Sequence, residues 1–347
     1  MKAMILAAGV GSRLDPLTRN VPKPMVPIVN RPVIEHLIEK LKKSGFDEIV
    51  INVHYLGGVI RDYVGDGSKW GVKIHVEQED QLWGDAGSLK RVEAHFQNET
   101  FLVIGGDDIS NIDISGLVAF HKDNKATSTI ATTLVDDPSQ FGIVLTDDNG
   151  RINRFLEKPK TGGAFSNTAN TGVYVFEPEV FELIPAGVAF GFGNNVFPAL
   201  LEAGKPLFAF HTQSYWQDVG NLQVYRQTNF DAINGKVQLG MPFTEQSAGV
   251  WVGEGAQIDP SATLEAPVVI GANTIVEAGA SLLANTVLGD NVRIESGATL
   301  KSTILWDGAS VGANTYVERC VIGVGAKVTS NVGVFDANIV DTRKAHV

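Results

Sequence analysis

The chain has 347 residues, 44% of them hydrophobic and 19% charged, with a formal net charge of -11. That length accommodates about two domains with cores of their own, and the composition excludes a disordered chain. The acidic balance excludes nonspecific nucleic-acid binding, which needs a basic face, so an anionic ligand requires a local cluster of cations. No apolar stretch approaches the ~20 residues of a bilayer-spanning helix, and no membrane partner is expected. The N-terminus runs straight into "KAMILAAG", which lacks the apolar length and cleavage site of a signal peptide. Cys320 is the single cysteine, so an internal disulfide framework is excluded and a reducing compartment, the cytoplasm, is expected.

Up to about residue 235, short apolar runs alternate with amphipathic stretches. "AMILAAG", "EIVINVH" and "FLVIGGD" read as buried parallel strands. Between the first two, "RPVIEHLIEKLKKSGF" sets Val33, Ile34, Leu37, Ile38 and Leu41 at helical spacing, with Lys42, Lys43 and Gly45 as the stop. The order predicts an α/β domain over residues 1–235 with a mostly parallel, doubly wound sheet. Ligands of such sheets sit beyond the carboxyl ends of the strands, where "AAGVGSR" and "GGDD" emerge.

After about residue 240 the period changes. Aliphatic residues recur every six positions at Val252, Ile258, Leu264, Ile270, Val276, Leu282, Leu288, Ile294 and Leu300. The series resumes one residue early at Leu305, Val311 and Val317, and again at Ile322, Val328, Val334 and Val340. Small or β-branched residues stand two places before many of these, as at Ala256, Ala262, Thr274, Ala280, Ala298, Ala309 and Ala326. Such a repeat predicts a parallel β-helix over 245–342, of about five triangular coils. Cys320 falls on a small-residue position and reads as a buried β-helix side chain.

The stretch "ILAAGVGSRLDPLTRNVPKP" carries two glycines, then Arg13, Arg19 and Lys23. A glycine-rich turn after a first strand exposes N–H groups to an anion. Leu14 replaces the third glycine of a dinucleotide fingerprint, and no Lys-Ser/Thr follows at P-loop spacing, so neither of those motifs is present. Fixed cations beside bare N–H donors suit a polyphosphate.

"LAAGVGSRLDPLTRNVPKPMVPI" resembles the signature of the sugar-phosphate nucleotidyltransferases. "LWGDAGSL", "IGGDD", "FGIVLTDDNGRINRFLEKP", "NTGVYVF" and "YWQDVGNLQVY" follow in the family's order, and the likeness is strongest to mannose-1-phosphate guanylyltransferases. The resemblance implies a Rossmann-like, GT-A-type catalytic domain followed by a left-handed β-helix of hexapeptide repeats. It implies transfer of a nucleotidyl group from a nucleoside triphosphate to a hexose 1-phosphate with release of pyrophosphate. Two anions must meet there, so charge neutralisation and alignment supply the catalysis.

By the same resemblance Asp107 and Asp218 hold Mg2+, with Asp108 as the alternative to Asp107. Arg13 stabilises the departing pyrophosphate and Lys23 the α-phosphate, and these two with the metal-holding carboxylates form the expected catalytic set. Leu6, Ala8, Gly9, Gly11 and Ser12 face the nucleotide, and Gln78, Gly84 and Gly87 line the base pocket. Gly142, Glu157, Asn170 and Thr171 meet the hexose, and Lys158 its phosphate. GTP with mannose 1-phosphate is the expected pair, with UTP or dTTP and glucose 1-phosphate second and ATP with glucose 1-phosphate third. A homo-oligomer through the β-helix is expected.

Two rival functions meet obstacles in the residues. Acyl transfer on a β-helix generally needs a histidine base, yet His346, in the tail, is the one histidine beyond residue 240. A catalytically silent regulatory chain is expected to lose charged groups of the signature, whereas Arg13, Lys23, Asp107, Lys158 and Asp218 are all present.

Overall fold

The computed structural model describes residues 1 to 97, 99 to 160 and 162 to 341. His346 and the expected last residue of the second domain, 342, lie outside them. Two compact units are formed, one from Met1–Val10 with Leu37–Asp218, the other from Gly11–His36 with the chain from Val219 onward.

In the first unit the strands of the main sheet are β1 (Lys2–Ala7), β2 (Glu48–Val53), β3 (Lys73–Gln78), β4 (Phe101–Gly105), β5 (Ser128–Leu134), β6 (Gly142–Thr146), β7 (Ile152–Glu157), β8 (Thr168–Phe176) and β9 (Leu207–His211). The path β7-β6-β8-β4-β1-β2-β3 crosses it, and β5 pairs with both β8 and β9. The four strands β4, β1, β2 and β3 are mutually parallel, and β8 runs antiparallel to β4. Crossover segments explain the parallel half, since α2 (Gly57–Val64) joins β2 to β3 and α3 (Gly84–Arg91) lies between β3 and β4. Met4, Val50, Phe101, Val103 and Phe176 are buried in one core, as continuous apolar runs require. The helix read from "RPVIEHLIEKLKKSGF" is α1 (Val33–Lys43), and its five named apolar residues are all buried. Gly45 closes it with a positive φ of 86°.

In the second unit the hexads form a parallel β-helix. One column of paired residues is Val252, Ile270, Leu288, Leu305, Ile322 and Ile339. A second is Ile258, Val276, Ile294, Val311 and Val328, and a third Leu264, Leu282, Leu300, Val317 and Val334. Thr244–Ser247 pairs antiparallel with Val250–Val252 and covers the first edge. One expected position is corrected. Ile339, not Val340, pairs with Ile322, because the corner after Val334 is one residue shorter than a hexad, as are those after Leu300 and Val317. Cys320 is fully buried, and burial raises its thiol above the ordinary range.

The signature segment and the helix α4 (Leu222–Ile233) belong to this second unit. Tyr225 Oη donates to Pro27 O at 2.8 Å and accepts from Trp306 Nε1 at 2.7 Å. Asn229 Oδ1 accepts from Val29 N at 2.9 Å, and Asn30 Nδ2 donates to Leu288 O at 2.6 Å. Buried polar groups thereby find partners across three segments distant in sequence.

Candidate functional site

In the first unit a cavity of about 240 Å³ opens beyond the carboxyl ends of β1 and β2. Leu6, Ala8, Gly9 and Gly84 line it together with Asn52, Glu79, Leu82, Trp83, Asp85 and Ser88. Asn52 bridges two walls, its Oδ1 accepting from Ala7 N at 3.1 Å and its Nδ2 donating to Glu79 Oε1 at 2.9 Å. Glu79 is 3% exposed, and its Oε2 is buried without a hydrogen-bond partner among the described residues. Burying such an oxygen unpaired costs roughly 1–3 kcal/mol or more.

Gln78, expected in the base pocket, is not among the lining residues. Its Nε2 donates to His54 O and Glu79 O, and its Oε1 accepts from Arg61. Gly84 and Gly87 serve a close backbone approach: a Cβ on Gly84 would stand 2.5 Å from Phe190 O, and one on Gly87 2.8 Å from Val188 O. Asp85 ties the same wall to the following turn, its Oδ1 accepting from Ala86 N at 2.8 Å and Phe192 N at 2.7 Å. Burial, with Glu157 adding repulsion against two backbone donors, pushes its carboxyl up to about 6.

The carboxylates expected to hold metal lie at a turn and a short ribbon. Asp107 sits in the turn after β4, and Asp108 opens the strand Asp108–Ser110, which pairs antiparallel with Trp216–Asp218. Asp218 stands directly opposite Asp108, which puts their side chains on one face. The Cβ position of Gly105 is 2.9 Å from Asp107 Oδ1 and 3.3 Å from Asp108 Oδ2, so the two aspartates point to a common region. Carboxylate oxygens brought together at a strand end suit a hard divalent cation. Lys40, which sequence reasoning missed, donates to Ser110 O and Oγ at 2.8 Å each. Burial pushes its ammonium down to about 8, opposed by Asp108 and Asp113.

The expected sugar-side residues lie on β6, β7 and β8 of the same unit, with Lys158 just after β7. Gly142 pairs with Glu157, and a Cβ on Gly142 would stand 2.7 Å from Glu157 Oε2. Burial raises the Glu157 carboxyl above its ordinary value, against the pull of Lys158, whose exposed Nζ is 3.8 Å from Oε1. Asn170 stands where the pairing of β8 with β5 shifts register. Its Nδ2 donates to Tyr174 Oη and its Oδ1 accepts from Gly172 N. Thr171 is turned inward, its hydroxyl donating to Ala131 O at 2.8 Å while its own carbonyl accepts from Trp216 Nε1 at 3.0 Å.

In the second unit Ser12 and Arg13 are exposed on the one-turn helix Ser12–Leu14, and Lys23 opens another, Lys23–Met25. Gly11 has φ 71°, and a Cβ there would stand 2.9 Å from Lys23 Cβ, so a glycine lets the two turns of the segment meet. Arg19 pairs with Asp15 through bonds of 2.8 and 2.9 Å at the surface.

The chain belongs to the nucleotidyltransferase family: residues 2–234 match the family described as Nucleotidyl transferase. Residues 247–344 match the family described as GMPPB C-terminal domain. Among similar proteins, the UTP--glucose-1-phosphate uridylyltransferase of Synechocystis sp. is 39% identical over 267 residues, which is 73% of this chain and 69% of that one. The mannose-1-phosphate guanylyltransferase of Mycobacterium tuberculosis is 32% identical over 77% of this chain and 79% of its own. A solved chain from Bacillus anthracis, provisionally designated a glucose-1-phosphate thymidylyltransferase and crystallised with sucrose, is 29% identical. It superposes with a TM-score of 0.62 over 69% of this chain and 97% of its own. No helix among the described residues is long and apolar enough to cross a membrane.

Proposed function

We propose that the chain joins GTP to mannose 1-phosphate. A phosphate oxygen of the sugar phosphate bonds to the α-phosphorus of GTP, the bond from that phosphorus to the β-phosphate's bridging oxygen breaks, and pyrophosphate leaves with GDP-mannose as product. The observation that carries the choice of base is Glu79, whose buried Oε2 has no hydrogen-bond partner among the described residues lining the cavity. Guanine presents two adjacent donors, N1–H and the 2-amino group, and a carboxylate accepts both. Uracil and thymine present one N–H between two carbonyls, which a carboxylate repels. A site built to accept hydrogen bonds discriminates strongly against a base that cannot donate them.

Asp107 and Asp218 are assigned to Mg2+, with Asp108 as the neighbouring carboxylate; a bound Mg2+ neutralises phosphate charge and aligns the reacting oxygens. Arg13 is assigned to the leaving pyrophosphate and Lys23 to the α-phosphate, with Gly11 and Ser12 beside the triphosphate. Glu157 receives sugar hydroxyls, Gly142 leaves room beside it, and Lys158 holds the sugar phosphate. Asn170 and the backbone of Thr171 complete the sugar side. A cytoplasmic setting, supported by the free thiol of Cys320, and homo-oligomerisation through the β-helix belong to the same proposal.

A second reading, UTP or dTTP with glucose 1-phosphate, is supported by the 39% identity to the Synechocystis enzyme. Pyrophosphate release with Mg2+ decides, tested with GTP, UTP, dTTP, ATP and CTP against mannose and glucose 1-phosphates. The expected result is the GTP and mannose 1-phosphate pair above all others, with loss of about 10³-fold in Asp218→Ala and Asp107→Ala. A stronger UTP or dTTP signal with glucose 1-phosphate selects the second reading. Silence throughout supports the regulatory chain.

A further inference from the structure

The N-terminal ends of the parallel strands, opposite the nucleotide cavity, gather a different set of groups. Glu48 opens β2 and is paired with Lys73, which makes His75 on β3 its diagonal neighbour on the same face. The one-turn helix Glu93–His95 brings His95 to the same place. Glu48 Oε1 lies 3.1 Å from His75 Nε2 and 3.9 Å from His95 Nδ1. All three ligand atoms fall within 4.8 Å of one another. Donors bound at about 2.0–2.1 Å to one tetrahedral ion stand roughly 3.3 Å apart, so small side-chain rotations close the set.

We propose that Glu48, His75 and His95 bind a divalent first-row transition ion such as Zn2+, which fastens the 93–95 turn to the edge of the sheet. Two imidazoles and a carboxylate are donors such ions favour over Mg2+. The three side chains are about a quarter exposed, at 25%, 27% and 25%, which leaves water access to a fourth position. Glu77 Oε1, 3.9 Å from His95 Nε2, is placed to orient the ring from its far side.

Two lysines oppose the site, Lys73, which is paired with Glu48 across the strands, and Lys2. Lys2 Nζ is 3.7 Å from Glu48 Oε1 while donating to His95 O at 2.8 Å. Removing that ammonium distinguishes a metal site from a plain ion-pair cluster, because a metal gains affinity from the change while the cluster only loses a partner.

The test uses untagged full-length protein stripped with chelator and titrated with Zn2+ against a chromophoric chelator, in an Asp218→Asn background that weakens the expected Mg2+ carboxylates. One equivalent is expected to bind, weakened at least ~10-fold by His75→Gln or His95→Gln and tightened by Lys2→Met. Should the histidine variants fold poorly, the unaltered chain supplies a second readout: Zn2+ is expected to protect His75 and His95 from carbethoxylation, mapped by mass spectrometry. Absence of stoichiometric binding, binding indifferent to both histidines, or unprotected rings overturns the proposal. Made separately in the chain that keeps Asp218, His75→Gln and His95→Gln are expected to leave pyrophosphate release with Mg2+ intact, so failure here leaves the reading of the catalytic site separate.

Discussion

In the β-helix, Leu282, Leu300 and Val317 stack one above another, each buried for the same reason and each replaceable in kind by its neighbours. In the cavity wall Glu79 is buried and Asp85 half-buried, but they are polar and unlike each other, and each is held by specific partners. Burial in the first region supplies stability through repetition. In the second it leaves one Glu79 oxygen without a hydrogen-bond partner among the described residues and raises the Asp85 carboxyl, costs that the rest of the fold offsets.

The largest expected effect tests the repeated region. Leu300→Ala removes a fully buried side chain from the middle of a column and is expected to cost about 2–5 kcal/mol of stability, read by denaturant unfolding. The ratio of rates with GTP and UTP should not move, since the substitution touches no cavity residue. A changed ratio would break the separation drawn here.

Glu79→Gln addresses the other region and should do the reverse. Its amide keeps an acceptor for Asn52 but presents N–H groups toward a base that also donates. The expected outcome is a fall of about 10–100-fold in kcat/KM for GTP relative to UTP, or roughly 1.4–2.7 kcal/mol, with little change in the unfolding midpoint. An unchanged ratio would remove Glu79 from base selection.

Asp85→Asn gives a smaller effect with a defined pH window. Because the folded carboxyl is raised to about 6 from 3.8, the unfolded chain ionises first as pH rises. The native protein should therefore lose stability between about pH 4 and 6 relative to the Asn variant. Reorganisation around the charge reduces the difference to on the order of 1–2 kcal/mol. Unfolding midpoints of both chains across that window check it, and parallel curves would show that Asp85 titrates as an ordinary aspartate.

The smallest effect belongs to Trp306→Phe. It removes the indole donor to Tyr225 Oη and should cost about 1 kcal/mol. A double variant with Tyr225→Phe that loses no more than the larger single loss would show that the two act as one unit.

How much of this was legible in the sequence follows the same division. The six-residue spacing specified the columns residue by residue, because a coil that stacks on itself must repeat its inward positions. It failed at Val340, where a shortened corner puts Ile339 into the column. The helix at Val33–Lys43 was legible from its stripe, and the family from the order of its motifs. Glu79 was not, because Gln78 and Glu79 adjoin at a strand end where no period tells them apart. The signal available was Asn52, a polar residue in the apolar run "EIVINV", whose burial demanded a partner. Thr171 was legible as a position but not as a direction, since its hydroxyl turns to Ala131. The surface pair of Arg19 with Asp15, four residues earlier, is one that i,i+4 spacing outside a long helix does not announce.

The hydrogen bonds that join Pro27, Tyr225 and Trp306 bear on how such a chain can be recombined. A graft cut near residue 240 would hand over the loop that carries Lys23 and Gly11 without the indole beneath its tyrosine. Exchanging C-terminal repeats between relatives should therefore succeed when residue 306 travels with a compatible residue 225, and should loosen the signature segment when it does not. The packing partners of the loop thus stand on both sides of the gap between the two family matches, and the exchangeable unit for the loop takes in residues from each.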